Sequence, residues 1–152
     1  MLLEDVYTKP GHLIRRAQQI AVACFMDECA RFDITPVQYG VLVAIRELPG
    51  LDATRLSRLI AFDRSTIGNV IDTIERKGWA QRRPDANDRR LKLLYLTPAG
   101  KRVLMDVEPA VLKSQDRILD PLTPAQRKQF TQLLAKLVAL NNDLSRSPLQ
   151  IE

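Results

Sequence analysis

A chain of 152 residues, 45% hydrophobic and 27% charged, suits one compact domain with a flanking assembly element. No apolar run approaches the roughly 18–20 residues of a membrane span, and the opening MLLEDVYTKPGH lacks the basic and continuous apolar regions of a signal peptide, so a cytoplasmic protein without a membrane partner is expected. The net charge of +5 is unevenly spread: residues 52–92 carry ten Lys/Arg against six acids, while 1–51 carry five against six and 93–152 eight against six.

In chain order, Pro10 opens a helix whose apolar residues at 13, 14, 17, 20, 21, 24 and 25 form a wide stripe through LIRRAQQIAVACFMDECARF. Thr35 to Gln38, TPVQ, is a capping box with Pro at the first helical position; it launches VQYGVLVAIREL, which Pro49-Gly50 stops. Asp52 caps the short helix ATRLSRLIA, and after a tight Phe62-Asp63 turn Asp63 caps RSTIGNVIDTIERKG, with Gly78 as the C-terminal stop. WAQRRP and LKLLYLT are strand-like segments flanking an arginine-rich Pro-Asp-Ala-Asn-Asp turn. Thr97-Pro98 opens a helix from about 98 to 118, and a second capping box, Thr123 to Gln126, opens the last, RKQFTQLLAKLVALNNDL. The expected fold is mainly α with a small β-hairpin.

The first helix and the last two are apolar on broad faces, and Leu133, Leu134, Leu137, Val138 and Leu140 make a stripe wider than one small domain needs. Either these helices pack on each other within one chain or they pair with a second copy, and the second is expected. Cys24 and Cys29 are five apart and diverge by more than a quarter turn on a helix, so they are poorly placed to bridge, and one His cannot complete a Cys/His metal cluster. No Ser/His/Asp order, Walker pattern or paired carboxylate in an apolar setting is present, so neither an enzyme nor a cofactor is expected.

On a helical wheel of DRSTIGNVIDTIERKG, Ile67, Val70, Ile71 and Ile74 share one stripe, the spacing of a core face. Ser65, Asn69, Asp72 and Arg76 lie opposite, flanked by Thr66, Gly68 and Thr73. Small hydroxyl and amide side chains with a glycine let a helix approach another surface closely, whereas a merely solvated face is richer in Glu and Lys. With ATRLSRLIA just before it, this helix has helix-turn-helix spacing, in which the second helix enters the major groove and Arg55 and Arg58 on the first face phosphates. The hairpin tip holds Asp88, Arg89 and Arg90. A hairpin beside such a helix reaches the minor groove, whose potential attracts an inserted Arg, and Asp88 is placed to brace a guanidinium there.

The run DRSTIGNVIDTIERKGWAQRRPDANDRRLKLLYLTPAGK resembles the winged helix-turn-helix core of the MarR family of bacterial transcription regulators. The similarity rests on Asp-Arg-Ser-Thr opening one helix, Ile-Glu-Arg-Lys-Gly closing it, an Asp-Arg-Arg wing, and Leu-Thr-Pro-x-Gly after it. The resemblance implies a homodimer in which residues 1–34 and 98–152 form the helical dimerisation bundle and 35–97 the winged DNA-binding core. It implies a pseudo-palindromic double-stranded operator as partner and repression relieved by a small ligand. By motif match Ser65, Thr66 and Asn69 face bases, Arg64 and Arg76 meet phosphates, and Arg89 or Arg90 enters the minor groove. Gly68-Asn69 stands where many relatives carry Thr-Arg, which shifts base preference from guanine toward adenine.

Ligands of this family sit between bundle and winged domain. YTKPGHLIRRAQQIAVA resembles the start of regulators of aromatic-acid breakdown, hydroxycinnamates and hydroxylated nicotinate among them. His12, Arg15, Arg16 and Tyr39, with Arg46 behind them, are the candidates for binding an aromatic or heteroaromatic acid, an Arg pairing with the carboxylate. Arg15 and Arg16 are adjacent and point about 100° apart, so at most one faces a pocket. Two other readings stay open: a peroxide-sensing repressor using the Cys24 thiol, with Tyr39 as its hydrogen-bond partner, and a DNA-binding protein that needs no ligand.

Overall fold

The computed structural model describes residues 2–151; residues 1 and 152, the outer ends of the expected 1–34 and 98–152 segments, lie outside the described residues. Helices α1 (Leu3–Tyr7), α2 (Pro10–Glu28), α3 (Pro36–Glu47), α4 (Ala53–Leu59) and α5 (Arg64–Arg76) precede an antiparallel hairpin of β1 (Ala80–Pro84) and β2 (Lys92–Leu96), and α6 (Pro98–Leu119) and α7 (Pro124–Leu140) follow. The expected order holds from α2 onward, because the starts of α3 to α7 each carry their own side-chain cap and Pro10 opens α2. Thr35, Asp52, Asp63, Thr97 and Thr123 all accept a hydrogen bond from a first-turn backbone N–H. Where the expected ends overran, the chain tightens into single turns, Ala30–Phe32 after α2 and Asn142–Leu144 after α7. Helix α1 was not expected; its five residues show too little periodicity to read.

The core is built around α3, α4, α5 and β2, where Val41, Leu42, Ile45, Leu56, Ile67, Ile71, Ile74 and Leu94 are buried. Each such side chain contributes about 1.5–3 kcal/mol on leaving water. Both ends of the helix-turn-helix close with Schellman hydrogen bonds. At the end of α4 the Ala61 N–H donates to Arg58 O and Phe62 N–H to Ser57 O, with Ala61 left-handed at φ 55. At the end of α5 Gly78 takes the same position at φ 71. One pairing was not foreseen: Leu94 N–H donates to Leu51 O and Gly50 N–H to Leu94 O, which stitches the hairpin to the segment between α3 and α4.

Helices α2 and α6 pack through Phe25, Leu104, Val107 and Val111. Across this seam Arg117 donates to Glu28 at 2.7 Å and to Asp27, and Lys113 pairs with Glu28 at 2.9 Å. The Arg117 hydrogen bond holds the Asp27 carboxyl below its usual range; hydrogen bonds from Lys113 and then Arg117 do the same for Glu28. Carboxyls so lowered contribute stability that is present above their usual values of 3.8 and 4.5 and is lost as pH falls through the folded values. Tm is therefore expected to decline on acidification below those values, and Arg117→Ala to flatten the decline. An unchanged acid profile in the variant would contradict this source.

Helix α7 contains no buried residue, and Leu133, Leu134, Leu137 and Val138 stand between 41% and 60% exposed. Among the described residues no helix is long and apolar enough to cross a membrane.

Candidate nucleic-acid interface

Helix α5 presents two faces, as its wheel predicts. Ile67, Ile71 and Ile74 are fully buried, while Arg64, Ser65, Asn69, Asp72 and Arg76 are exposed. Asp63 fixes the start of the helix: its carboxylate accepts from Thr66 N–H at 2.8 Å and from the Thr66 hydroxyl at 2.6 Å. Those bonds, the hydroxyl's first, hold the Asp63 carboxyl below the usual carboxylate range, and the nearby charge of Arg146 adds to them. They also commit the Thr66 hydroxyl hydrogen to the cap, so Thr66 offers an incoming base only its oxygen lone pairs. The Asn69 side chain has no intramolecular hydrogen bond among the described residues and keeps its full donor and acceptor set. The Arg76 guanidinium donates to the Thr73 hydroxyl at 3.0 Å, which steers it along the helix.

Gly68 lies between these residues. A Cβ built there would meet only the Arg64 guanidinium, at 3.6 Å. The fold therefore does not require a glycine at this point, although one inside a helix costs roughly 0.5–1 kcal/mol relative to alanine. A bare backbone strip between Ser65 and Asn69 is what close approach of a second surface needs.

The four arginines flanking the hairpin turn divide into two kinds. Arg82 is bound inward: its N–H donates to Glu75 Oε1 at 2.8 Å, its guanidinium pairs with Glu75, and a second nitrogen reaches Asp72 Oδ1 at 2.7 Å. Arg82 thus fastens the base of the hairpin to α5. It also offsets part of the charge of Asp72, the one carboxylate on the exposed stripe, which would otherwise repel a phosphate more strongly. Arg83 lies over the Tyr95 ring at 4.9 Å. Arg89 and Arg90 are exposed at the tip, and among the described residues neither side chain pairs with an acid. The turn is shaped by Asp85, whose Oδ1 accepts from Asn87 and Asp88 N–H at 2.7 and 2.9 Å. Asp88 does not brace a guanidinium; its Oδ1 accepts from Arg90 N–H at 3.0 Å, and so sets backbone rather than side chain. Arg55 and Arg58 are both exposed on α4.

The four expected anion-binding residues do not converge. His12 and Arg16 share an open groove of about 460 Å³ with Leu13, Ala17, Ile20 and Tyr7 of α1. Tyr7 was missed because α1 was; its ring lies 5.5 Å from that of His12. Arg15 turns away to Gln19 at 3.4 Å, as the angle between adjacent helical residues requires. Tyr39 is half-buried against Phe25, with ring centroids 6.1 Å apart, because its place on α3 faces the α2 seam. Arg46 pairs with Glu47 at 2.8 Å. Both cysteines are free thiols; burial pushes the Cys29 thiol up, and among the described residues no hydrogen bond joins Cys24 to Tyr39.

The profile of the MarR family matches residues 34–92. The HTH-type transcriptional repressor NicR of Pseudomonas putida is 27% identical over 134 residues, 88% of this chain and 85% of its own. The PcaV transcriptional regulator of Streptomyces coelicolor, solved with its natural ligand, is 31% identical with a TM-score of 0.79, covering 91% of this chain and 98% of that one. A structure describing regulation of DNA binding of Bordetella bronchiseptica BpsR by 6-hydroxynicotinic acid is 29% identical with a TM-score of 0.80, covering 86% and 94%.

Proposed function

The chain belongs to the MarR family of DNA-binding transcriptional regulators, and we propose that it is a homodimeric repressor released from its operator by a small aromatic or heteroaromatic acid. The observation that carries the reading is the exposed Ser65, Asn69 and Arg76 face of α5, held by Arg82 beside a hairpin whose tip carries Arg89 and Arg90. In a duplex, α5 enters the major groove, where Asn69 suits the N6/N7 edge of adenine and Ser65 accepts or donates. Arg55, Arg58, Arg64 and Arg76 meet phosphates, and Arg89 or Arg90 enters the adjacent minor groove. Two copies place their α5 helices about 34 Å apart on a pseudo-palindrome.

Dimerisation is supported by α7, which buries nothing within its own chain, and by the exposed Leu13, Ile14 and Ile20 of α2. Segments 1–34 and 98–152 form the dimer bundle around the 35–97 core. Arg16, His12 and the Tyr7 ring, with Leu13 and Ile20 as an apolar wall, suit a planar carboxylate. The similar BpsR, whose DNA binding is regulated by 6-hydroxynicotinic acid, points to a hydroxylated nicotinic or related acid. A ligand there acts only through its differential affinity for two spacings of the α5 helices, a coupling of about 1–3 kcal/mol.

The test is a fluorescence-polarisation titration with the gene's own upstream intergenic duplex and a scrambled duplex, with and without hydroxylated aromatic and nicotinic acids. Selective binding relieved by one acid, with the relief lost in Arg16→Ala, is expected. Equal binding to both duplexes would refute a specific regulator. Selective binding relieved only by peroxide would move the sensor to Cys24.

A further inference from the structure

The C-terminal tail returns to the helix-turn-helix. Gln150 N–H donates to Arg58 O at 3.0 Å, at the end of α4. Just before that anchor the chain closes into a loop. Asn142 Oδ1 accepts from Leu149 N–H at 2.8 Å, and Asn142 Nδ2 donates to Leu149 O at 3.0 Å. The Ser145 hydroxyl accepts from Ser147 N–H at 3.2 Å, and Pro148 restricts the backbone between. Arg146 is thereby held against the start of α5. A groove of about 310 Å³ forms there, lined by Arg58, Phe62, Asp63, Arg64, Arg146 and Pro148.

Three arginines from three separate chain segments, Arg58, Arg64 and Arg146, line this groove beside one carboxylate. Both oxygens of that carboxylate are engaged by Thr66, and none of the three arginines forms a salt bridge among the described residues. Three unpaired arginines around one opening favour an anion that brings several acceptor oxygens. The opening lies on the side of the molecule that the proposed operator contacts occupy, between Arg58 of α4 and Arg64 of α5.

We infer that Arg146, folded back by the tail, joins Arg58 and Arg64 in gripping one phosphodiester of the bound duplex. This rests on the DNA-binding reading. It adds a contact from outside the winged core, one that tracks the position of the tail. Such a contact supplies affinity and salt dependence but no base preference.

The test uses the full-length protein and the two duplexes above, titrated across a range of chloride concentrations. Arg146→Ala is expected to weaken both duplexes alike by about tenfold and to reduce the salt slope by about one. Arg146→Lys should keep the slope. Asn142→Ala unlocks the loop without removing charge and should fall between wild type and Arg146→Ala. Because Arg146 is exposed, Tm should not change in its variants. Selective wild-type binding with an unaltered slope in Arg146→Ala would overturn the inference and leave the regulator intact. Loss of selectivity in the wild type itself would instead remove the reading beneath it. Sodium phosphate at fixed ionic strength separates the two sources of phosphate. Arg146-dependent binding of phosphate at low concentration that leaves duplex affinity unchanged would make this a free-anion site and overturn the inference.

Discussion

Gly100→Ala is expected to lower the stability of the protein by about 3 kcal/mol, the upper part of the range for overpacking a filled interior. Gly100 is buried in the first turn of α6, and a Cβ there would lie 1.9 Å from the Trp79 carbonyl oxygen and 2.9 Å from its carbon. Those are backbone atoms that cannot swing aside. The same carbonyl accepts from Thr97 N–H at 3.0 Å, and the Thr97 hydroxyl donates to Gly78 O at 2.6 Å while accepting from Gly100 N–H at 3.0 Å. A methyl group therefore pushes the start of α6 off the end of α5 and breaks this junction. Thermal unfolding should show a Tm roughly 10 °C lower for a chain of this length, with an unchanged urea m-value. A loss within a couple of degrees would mean the junction yields easily. Gly78 makes the contrast. Nothing lies within 4 Å of a Cβ there, and its φ of 71 is the whole requirement, so Gly78→Ala should cost only about 1 kcal/mol.

Replacing Arg89 and Arg90 together by alanine is expected to reduce operator affinity by roughly a hundredfold, from two charged contacts of about 1.5 kcal/mol each. The turn that carries them survives, since Asp85 holds it through the backbone N–H groups of Asn87 and Asp88 and Asp88 holds the N–H of residue 90. The loss is thus one of contacts rather than of shape. The salt slope should fall by about two. Asn69→Ala should act differently, with a smaller loss confined to the preferred duplex. Measuring both variants on operator and scrambled duplexes separates the roles. If the double variant binds as tightly as wild type, the tip does not touch DNA.

The helices were legible because their signals are local. A Thr or Asp cap reaches an N–H no more than three residues away, and the spacing of Ile67, Ile71 and Ile74 marks a core face whatever it packs on. The same locality explains the exposed stripe of α5 and the hairpin register, Ala80 opposite Leu96 through Pro84 opposite Lys92. Where local signals were weak, the reading was incomplete. Helix α1 spans five residues, and the Leu51–Leu94 bridge is a single pair far apart in sequence. Missing α1 hid Tyr7, and the packing of Tyr39 against Phe25 of α2 carries no local signal in the sequence.

Charged side chains were the hardest to place. Arg82, Arg83, Arg89 and Arg90 look alike on paper, yet one clamps α5, one covers Tyr95 and two stand free of the fold at the tip. A long flexible cation takes whichever partner the folded chain brings within reach, and that partner can be seven residues away, as Glu75 is from Arg82, or 90, as Asp27 is from Arg117. Arg146 carries no local signal at all, and its groove forms where the tail returns to α4, Gln150 N–H donating to Arg58 O. The sequence by itself determined the helices from α2 onward, the hairpin and which face of α5 turns outward, since caps and periodicity act within a few turns. The tertiary structure alone decided which cations are spent on the fold and which remain for a partner, since electrostatic pairing depends on distances in space that no sequence spacing records.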